Sequence, residues 1–325
     1  MNESCILITG GCGAVGSNLV NRLSQMHKVI IIDNLTSGST NNIAQSTNVK
    51  LYKNDIRDVE VLEKIFSSHN IEKVFHLAAN FANQNSVDNP ILDLDVNGIG
   101  TVNLLKQSQK YKVKKFVYTS SSCVYGSKDS EMSEDSIGEF DTPYAITKHL
   151  GESYCNYFFK NFGLKVVVLR LFNSFGPGEL WGEYRNVIPN FFRLALNKKP
   201  LTITGTGEET RDFTFVDDIV NGIIVSADIP EAVGEIINLG AGNSTTINSM
   251  AYKINELCDN VGNIQYLPRR SWDHVLHRKA NSKKAKDILN WQATTKFDDG
   301  LLKYKNWIEE RHNIQDYFIS KSVVS

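Results

Sequence analysis

The sequence predicts an α/β protein: a doubly wound parallel sheet, followed by a smaller mixed α/β part toward the C-terminus. Three observations predict it. Residues 6 to 118 carry short β-branched runs apolar on both faces, as strands covered on two sides must be. Helix-period segments alternate with those runs through short connections, which fits parallel pairing. After Asn173 the character changes to a stretch rich in Gly, Pro and aromatics.

The strand runs are CILIT from Cys5, KVIIID ending in Asp33, VKLY from Val49, KVFHLA from Lys73 and KFVYTS from Lys115. KVVVLRLFN, from Lys165, continues the pattern. The helix candidates are Val15–Met26, Val59–Ser67, Leu94–Tyr111 and Ala145–Asn161. FGPGELWGEYRNVIP, from Phe175, reads as a long irregular loop of the kind that carries function. The expected division is residues 1–175 and 176–325, with 211–228 packing back on the first part.

Composition excludes several classes of partner. Lys+Arg is 35 against Asp+Glu 36, so no overall field draws a nucleic acid. Lys283, Lys284 and Lys286 read as a solvated helix face. No apolar segment approaches the roughly 20 residues that span a bilayer, and MNESCILITGG lacks the features of a secretory signal. Five cysteines without metal or redox spacing point to a reduced, cytoplasmic setting, and His274 and His277 lack the partners of a metal site.

ILITGGCGAVGSNLVNRL places Gly10, Gly11, Gly13 and Gly16 between the first strand and the first helix. Glycine there allows a tight turn and lets backbone N–H groups approach a pyrophosphate. The second strand ends in Asp33, whose carboxylate can accept from ribose hydroxyls and would repel a 2′-phosphate. NLTSGS, which follows, holds no Arg or Lys to reward that phosphate, so NAD is expected rather than NADP. Tyr144 and Lys148, in TPYAITKHLGE, share one helical face. An ammonium so close favours the phenolate, so a lowered tyrosine pKa is expected.

Taken in order, the glycine turn, Asp33, TSSSCVYG and the Tyr–Lys pair resemble the extended short-chain dehydrogenase/reductase family, in its NAD-dependent nucleotide-sugar epimerase and dehydratase branch. NDIRD around Asp55, HLAA at 76–79, DVNGIGT around Asn97, LFNSFGPG around Asn173 and RDFTFVDD from Arg211 extend the resemblance over nearly the whole chain. It implies a Rossmann domain for NAD and a nucleotide-sugar domain after it. The implied cofactor contacts are Gly10, Gly13, Ala14, Val15, Gly16, Asp33, Asn34, Asp55, Ile56, Leu77, Ala78, Ala79, Asn97, Tyr144 and Lys148. For the sugar nucleotide, a UDP-sugar by family frequency, it implies Ser121, Asn173, Asn186, Val187, Arg211, Arg270 and Asp273.

The catalytic set implied is Ser121, Tyr144 and Lys148, with Ser120 and Ser122 expected to satisfy local backbone groups. Dehydratases of the family place Asp–Glu where this chain has Ser122 and Cys123, so dehydration is disfavoured. Decarboxylating members usually keep the glutamate and fit less well. Cys123 keeps an alternative open, because GDP-fucose synthase and GDP-mannose 3,5-epimerase carry a cysteine there for proton transfer. Their second acid/base residue falls at Gly178 or Val187, neither of which titrates. The pattern is therefore nearest to UDP-galactose 4-epimerase-like members. The alternatives are another keto-intermediate enzyme using Cys123 (a 2-, 3- or 5-epimerase, an unusual dehydratase or a reductase) and, more remotely, a non-catalytic NAD-binding sensor. The resemblance also implies a homodimer built on the helix carrying Tyr144 and the helix after Asn97.

Overall fold

The computed structural model describes residues 3–127 and 131–311. Seven parallel strands form one sheet: β1 (Ser4–Thr9), β2 (Lys28–Ile32), β3 (Val49–Tyr52), β4 (Asn70–His76), β5 (Lys115–Ser121), β6 (Val166–Leu171) and β7 (Ile236–Leu239). Their spatial order is β7-β6-β5-β4-β1-β2-β3. The chain moves outward from β1 through β3, then returns to start again at β4. The carboxyl ends of β1 and β4 therefore face a crevice where the winding reverses, the place where doubly wound sheets bind ligands.

The pleat sends alternate side chains to opposite faces. Cys5, Leu7, Ile30 and Ile32 pack with Leu62, Ile65 and Phe66 of helix α2 (Val59–Ser68) on one face. Ile6, Ile8, Val29 and Ile31 pack on the other, against Leu19 and Val20 of helix α1 (Ala14–Leu23). Both faces are covered, which is why the strands lack polar alternation.

The second half of the chain does not stand apart. Ile219, Val220 and Ile223, on the helix Val216–Asp228, join the core that contains β1 and β2. So do Phe191, Leu201, Ile254 and Leu301 from farther along. Strand β7 itself comes from beyond residue 175 and pairs with β6. Phe175, Phe213, Phe215 and Phe297 make edge-to-face and stacked contacts across this junction.

Two local features position the site. Helix α4 (Pro143–Phe162; α3 being Thr101–Lys110) starts at Thr142, whose hydroxyl accepts from Ala145 N, and has Pro143 at its first position. It stops at Gly163, whose φ of +67° suits glycine. Immediately before α3, residues Leu94–Gly100 wind as a π-helical turn that carries Asn97 inward.

Candidate active site

A cleft of about 900 Å³ opens over the carboxyl ends of β1, β4 and β5. It gathers residues from both halves of the chain. At its floor, Gly10 adopts φ +69°, and a Cβ there would stand 2.6 Å from the Ala78 backbone N. A Cβ on Gly16 would stand 2.1 Å from the Gly10 carbonyl oxygen. At Gly13, by contrast, it would meet only that oxygen, at 3.3 Å. Gly13 is also the N-cap of α1, and no side chain caps it. The result is a bare helix N-terminus reached through an unobstructed surface, which fits a pyrophosphate.

Asp33 closes the turn after β2. Its Oδ2 accepts from Cys12 N at 2.9 Å and its Oδ1 from Leu35 N at 2.8 Å, which fixes the carboxylate at the cleft wall. Asn34 donates to Asp55 at 2.9 Å, and Arg57 holds the same carboxylate at 2.9 Å. That Arg57 bond, chiefly, brings Asp55 down to about 2. Ala14, Val15, Ile56, Leu77, Ala78 and Ala79 line the adjoining wall.

Asn97 lies elsewhere. It is buried behind the cleft, accepting from Asn80 N at 2.8 Å and donating to Asp93 at 3.0 Å. The π-helical turn aims it at the loop after β4, so it shapes the cleft wall without lining it. His76 is likewise structural. Its ring bridges Thr9 at 2.7 Å and Thr101 at 2.9 Å, and burial pushes it down to about 3, which keeps it neutral.

Ser121 ends β5, and its Oγ accepts from Cys123 N at 3.2 Å across the turn that follows. Tyr144 and Lys148 are both buried on α4 and both line the cleft. Lys148 Nζ donates to Thr119 O at 2.8 Å and lies 5.8 Å from the Tyr144 ring centroid. The expected lowering of the tyrosine does not occur in the protein alone. Burial, then Cys123 and Asp93, push the Tyr144 phenol well above its usual range, and only the Ser121 hydroxyl opposes them. Lys148 moves the other way: burial pushes it down to about 8, against Asp93 and Glu152. Desolvation penalises whichever form is charged, and it is the largest cause for both groups.

Behind the triad, Arg170 of β6 grips Glu152 of α4 through two bonds of 2.9 and 2.8 Å. It also donates to Tyr125 Oη at 3.0 Å, which donates to Asn238 of β7 at 2.6 Å. The hydroxyl of Ser120, expected on a backbone group, is buried without such a bond.

The far end of the cleft is basic. Arg211 donates to Thr210 O, Leu276 O and Val275 O, and Asp273 lies 3.7 Å away. Burial and the neighbouring Arg278 push Arg211 down to about 10, the behaviour of guanidiniums crowded together without enough anions. Arg270 is exposed at the rim, over the Trp272 ring. Asp273 also faces Arg269 at 3.9 Å, so its carboxylate is already engaged by arginine. Asn173 donates to Asp212 O at 3.1 Å. Asn186, donating to Glu179 at 2.6 Å, and Val187 begin the helix Val187–Leu196.

All the residues that the sequence marks for the site line this one cleft except Asn97. Sequence reasoning missed Asp141, Glu179, Arg185 and Arg278, which line it as well. Burial pushes Glu179 up to about 7, against Arg185 and Asn186. Asp141, inside the stretch that holds Tyr144, and Arg278, inside HRK, were visible as letters; nothing local revealed their inward orientation.

The comparisons with known proteins agree with this geometry. The model of the NAD dependent epimerase/dehydratase family matches residues 6–240. A solved epimerase of Methanothermobacter thermautotrophicus is 46% identical and superposes with a TM-score of 0.93, over 95% of this chain and 93% of that one. The UDP-glucose 4-epimerase of Thermotoga maritima, solved with UDP-glucose, is 33% identical with a TM-score of 0.91, over 96% and 100%. A putative UDP-glucose 4-epimerase of Methanocaldococcus jannaschii is 32% identical, over 94% of this chain and 99% of its own. The family model covers most of the chain, and these relatives are matched over nearly their whole length: the chain belongs to the NAD dependent epimerase/dehydratase family.

Proposed function

We propose that this protein is a UDP-sugar 4-epimerase working through a transient 4-keto sugar. One observation carries the reading: Ser121, Tyr144 and Lys148 meet at the end of β5, while the next two positions are Ser122 and Cys123 rather than an acid pair. NAD, held at the glycine turn and Asp33, supplies when bound the hydride acceptor and then the hydride donor for the sugar carbon. Tyr144 Oη takes the proton from the sugar hydroxyl and later returns it. Ser121 holds the same oxygen by hydrogen bonding. Lys148, anchored on Thr119 O, supplies positive charge beneath the phenol. Arg211 and Arg270 receive the diphosphate. The first half of the chain thus holds the cofactor and the second half most of the sugar nucleotide.

The test is incubation with UDP-glucose, UDP-N-acetylglucosamine and UDP-glucuronate, with NMR of the products. Inversion at C4 is expected, and Tyr144→Phe should lower kcat by about 10²–10⁴-fold. Unchanged turnover in that variant would overturn the mechanism. The thiol reading is weaker, because the only hydrogen-bonding neighbour of the Cys123 sulfur among the described residues is Arg278, at 3.6 Å. Solvent deuterium appearing at a sugar carbon other than C4 would restore it.

A homodimer is also part of the reading. Ile99, Ile146, Tyr157 and Phe162 are about half exposed on the π-helical turn and α4, an apolar face that a second copy would cover. Light scattering should give twice the monomer mass, and Tyr157→Glu should shift it toward monomer. Five unpaired cysteines support a reducing, cytoplasmic location. No helix among the described residues is long and apolar enough to cross a membrane.

A further inference from the structure

Asp141 stands three residues before Tyr144 and lines the same cleft. Its Oδ2 is buried and has no hydrogen-bond partner. The groups that bear on it are the His274 and Arg278 charges, the opposing Asp273 carboxylate and the Ser127 hydroxyl. Burial pushes the Asp141 carboxyl above the ordinary carboxylate range, as expected of an acid whose charge is incompletely compensated.

Arg278 reaches the cleft from the other half of the chain and is 5% exposed. One of its N–H groups lies 3.6 Å from Cys123 Sγ, and another donates to Gly126 O at 3.2 Å. Its Nε has no partner. Arg211 and Arg269 each face an acid within 4 Å, whereas Arg278 enters no such pair among the described residues. Arg278 bears on both Arg211 and Asp141, so it stands between the basic end of the cleft and the Tyr144 end.

We propose that Asp141 sets the sugar specificity of the cleft, accepting a hydrogen bond from an uncharged hydroxyl or amide N–H and disfavouring sugars that carry a carboxylate. The inference rests on the 4-epimerase reading above. The diphosphate already brings the negative charge that Arg211 and Arg270 match. A uronate adds another and needs a cation of its own. Arg278 is a buried cation of the cleft that no acid pairs with among the described residues, and Asp141 opposes its charge. A neutral donor satisfies the unpartnered Asp141 oxygen without adding charge.

The test compares kcat/KM for UDP-glucose, UDP-N-acetylglucosamine and UDP-glucuronate in the NAD-loaded wild type and in Asp141→Asn. The wild type should favour one of the uncharged sugars over the uronate by at least about tenfold, about 1.4 kcal/mol. Asp141→Asn should move that ratio toward the uronate by a similar factor. A wild type that prefers the uronate overturns the proposal, and so does a variant that slows all three substrates equally. Should the variant fail to fold, by its thermal transition, the wild-type preference alone decides. Should no sugar be epimerised, the 4-epimerase reading fails. Affinities of the same three compounds for the wild type, by calorimetry, then still test the exclusion: uronate binding as tight as hexose binding overturns it.

Discussion

Replacing Glu152 with Gln tests whether the buried brace behind the active site holds helix α4 in place. The Glu152 and Arg170 side chains are only 2% and 1% exposed, and their two hydrogen bonds join α4 to β6. Burial alone would raise the Glu152 carboxyl, but the Arg170 fork holds it below the ordinary range. Glutamine keeps one acceptor for Arg170 Nε–H but turns an N–H₂ toward the other guanidinium donor. It also leaves the arginine buried without a counter-charge. Removing one partner of such a pair costs about 3–5 kcal/mol. With an unfolding entropy of about 2.1 cal/mol/K per residue, 325 residues give about 0.7 kcal/mol/K, so Tm should fall by about 4–7 °C. Differential scanning calorimetry of the NAD-free protein measures it. Glu152→Met combined with Arg170→Met should recover most of the loss, because neither charge is then stranded. A single-variant shift below about 1 °C, or a double variant no better than the single, would refute the reasoning.

Gly16→Ala should weaken NAD binding by well over about tenfold by calorimetry, because its Cβ would meet backbone that cannot yield without opening the turn; affinity within twofold of wild type would contradict that. The Lys148 proton gives a pH test. Its folded-state value of about 8 lies below the 10.5 of the unfolded chain, so the cost of burying its charge is fully present below about pH 8 and vanishes toward 10.5. Stability relative to Lys148→Met should therefore rise over that interval, and a fall would refute the assignment. In the same NAD-free protein, the absorbance difference between wild type and Tyr144→Phe should show no phenolate below about pH 10.

Much of the fold was legible because strands buried on both faces have a distinctive composition. CILIT and KVIII need no partner to declare themselves, and they became β1 and β2. The glycine turn was legible for a similar reason: it is local backbone chemistry, and its requirements fall within seven residues. Tyr144 and Lys148 were legible as a pair because helix geometry fixes their common face. Their protonation was not. Counting charges along the helix suggests an acidic phenol, whereas burial decides the matter in the opposite sense.

The residues that escaped detection, or that lie elsewhere than expected, are those whose meaning depends on distant segments. Arg278 acts 155 positions away from Cys123 along the chain. Asn97 carried a recognisable motif, yet a π-helical turn rotates it behind the wall it was expected to line. Nothing in the sequence singled out Glu152, and only the fold brings Arg170 over it. By itself, then, the chain specified its strands, its glycine turn and the common helical face of Tyr144 and Lys148, since short-range sterics and periodicity determine them. Tertiary structure alone decided which charges are stripped of water and which are paired, because desolvation depends on what the rest of the molecule brings over them.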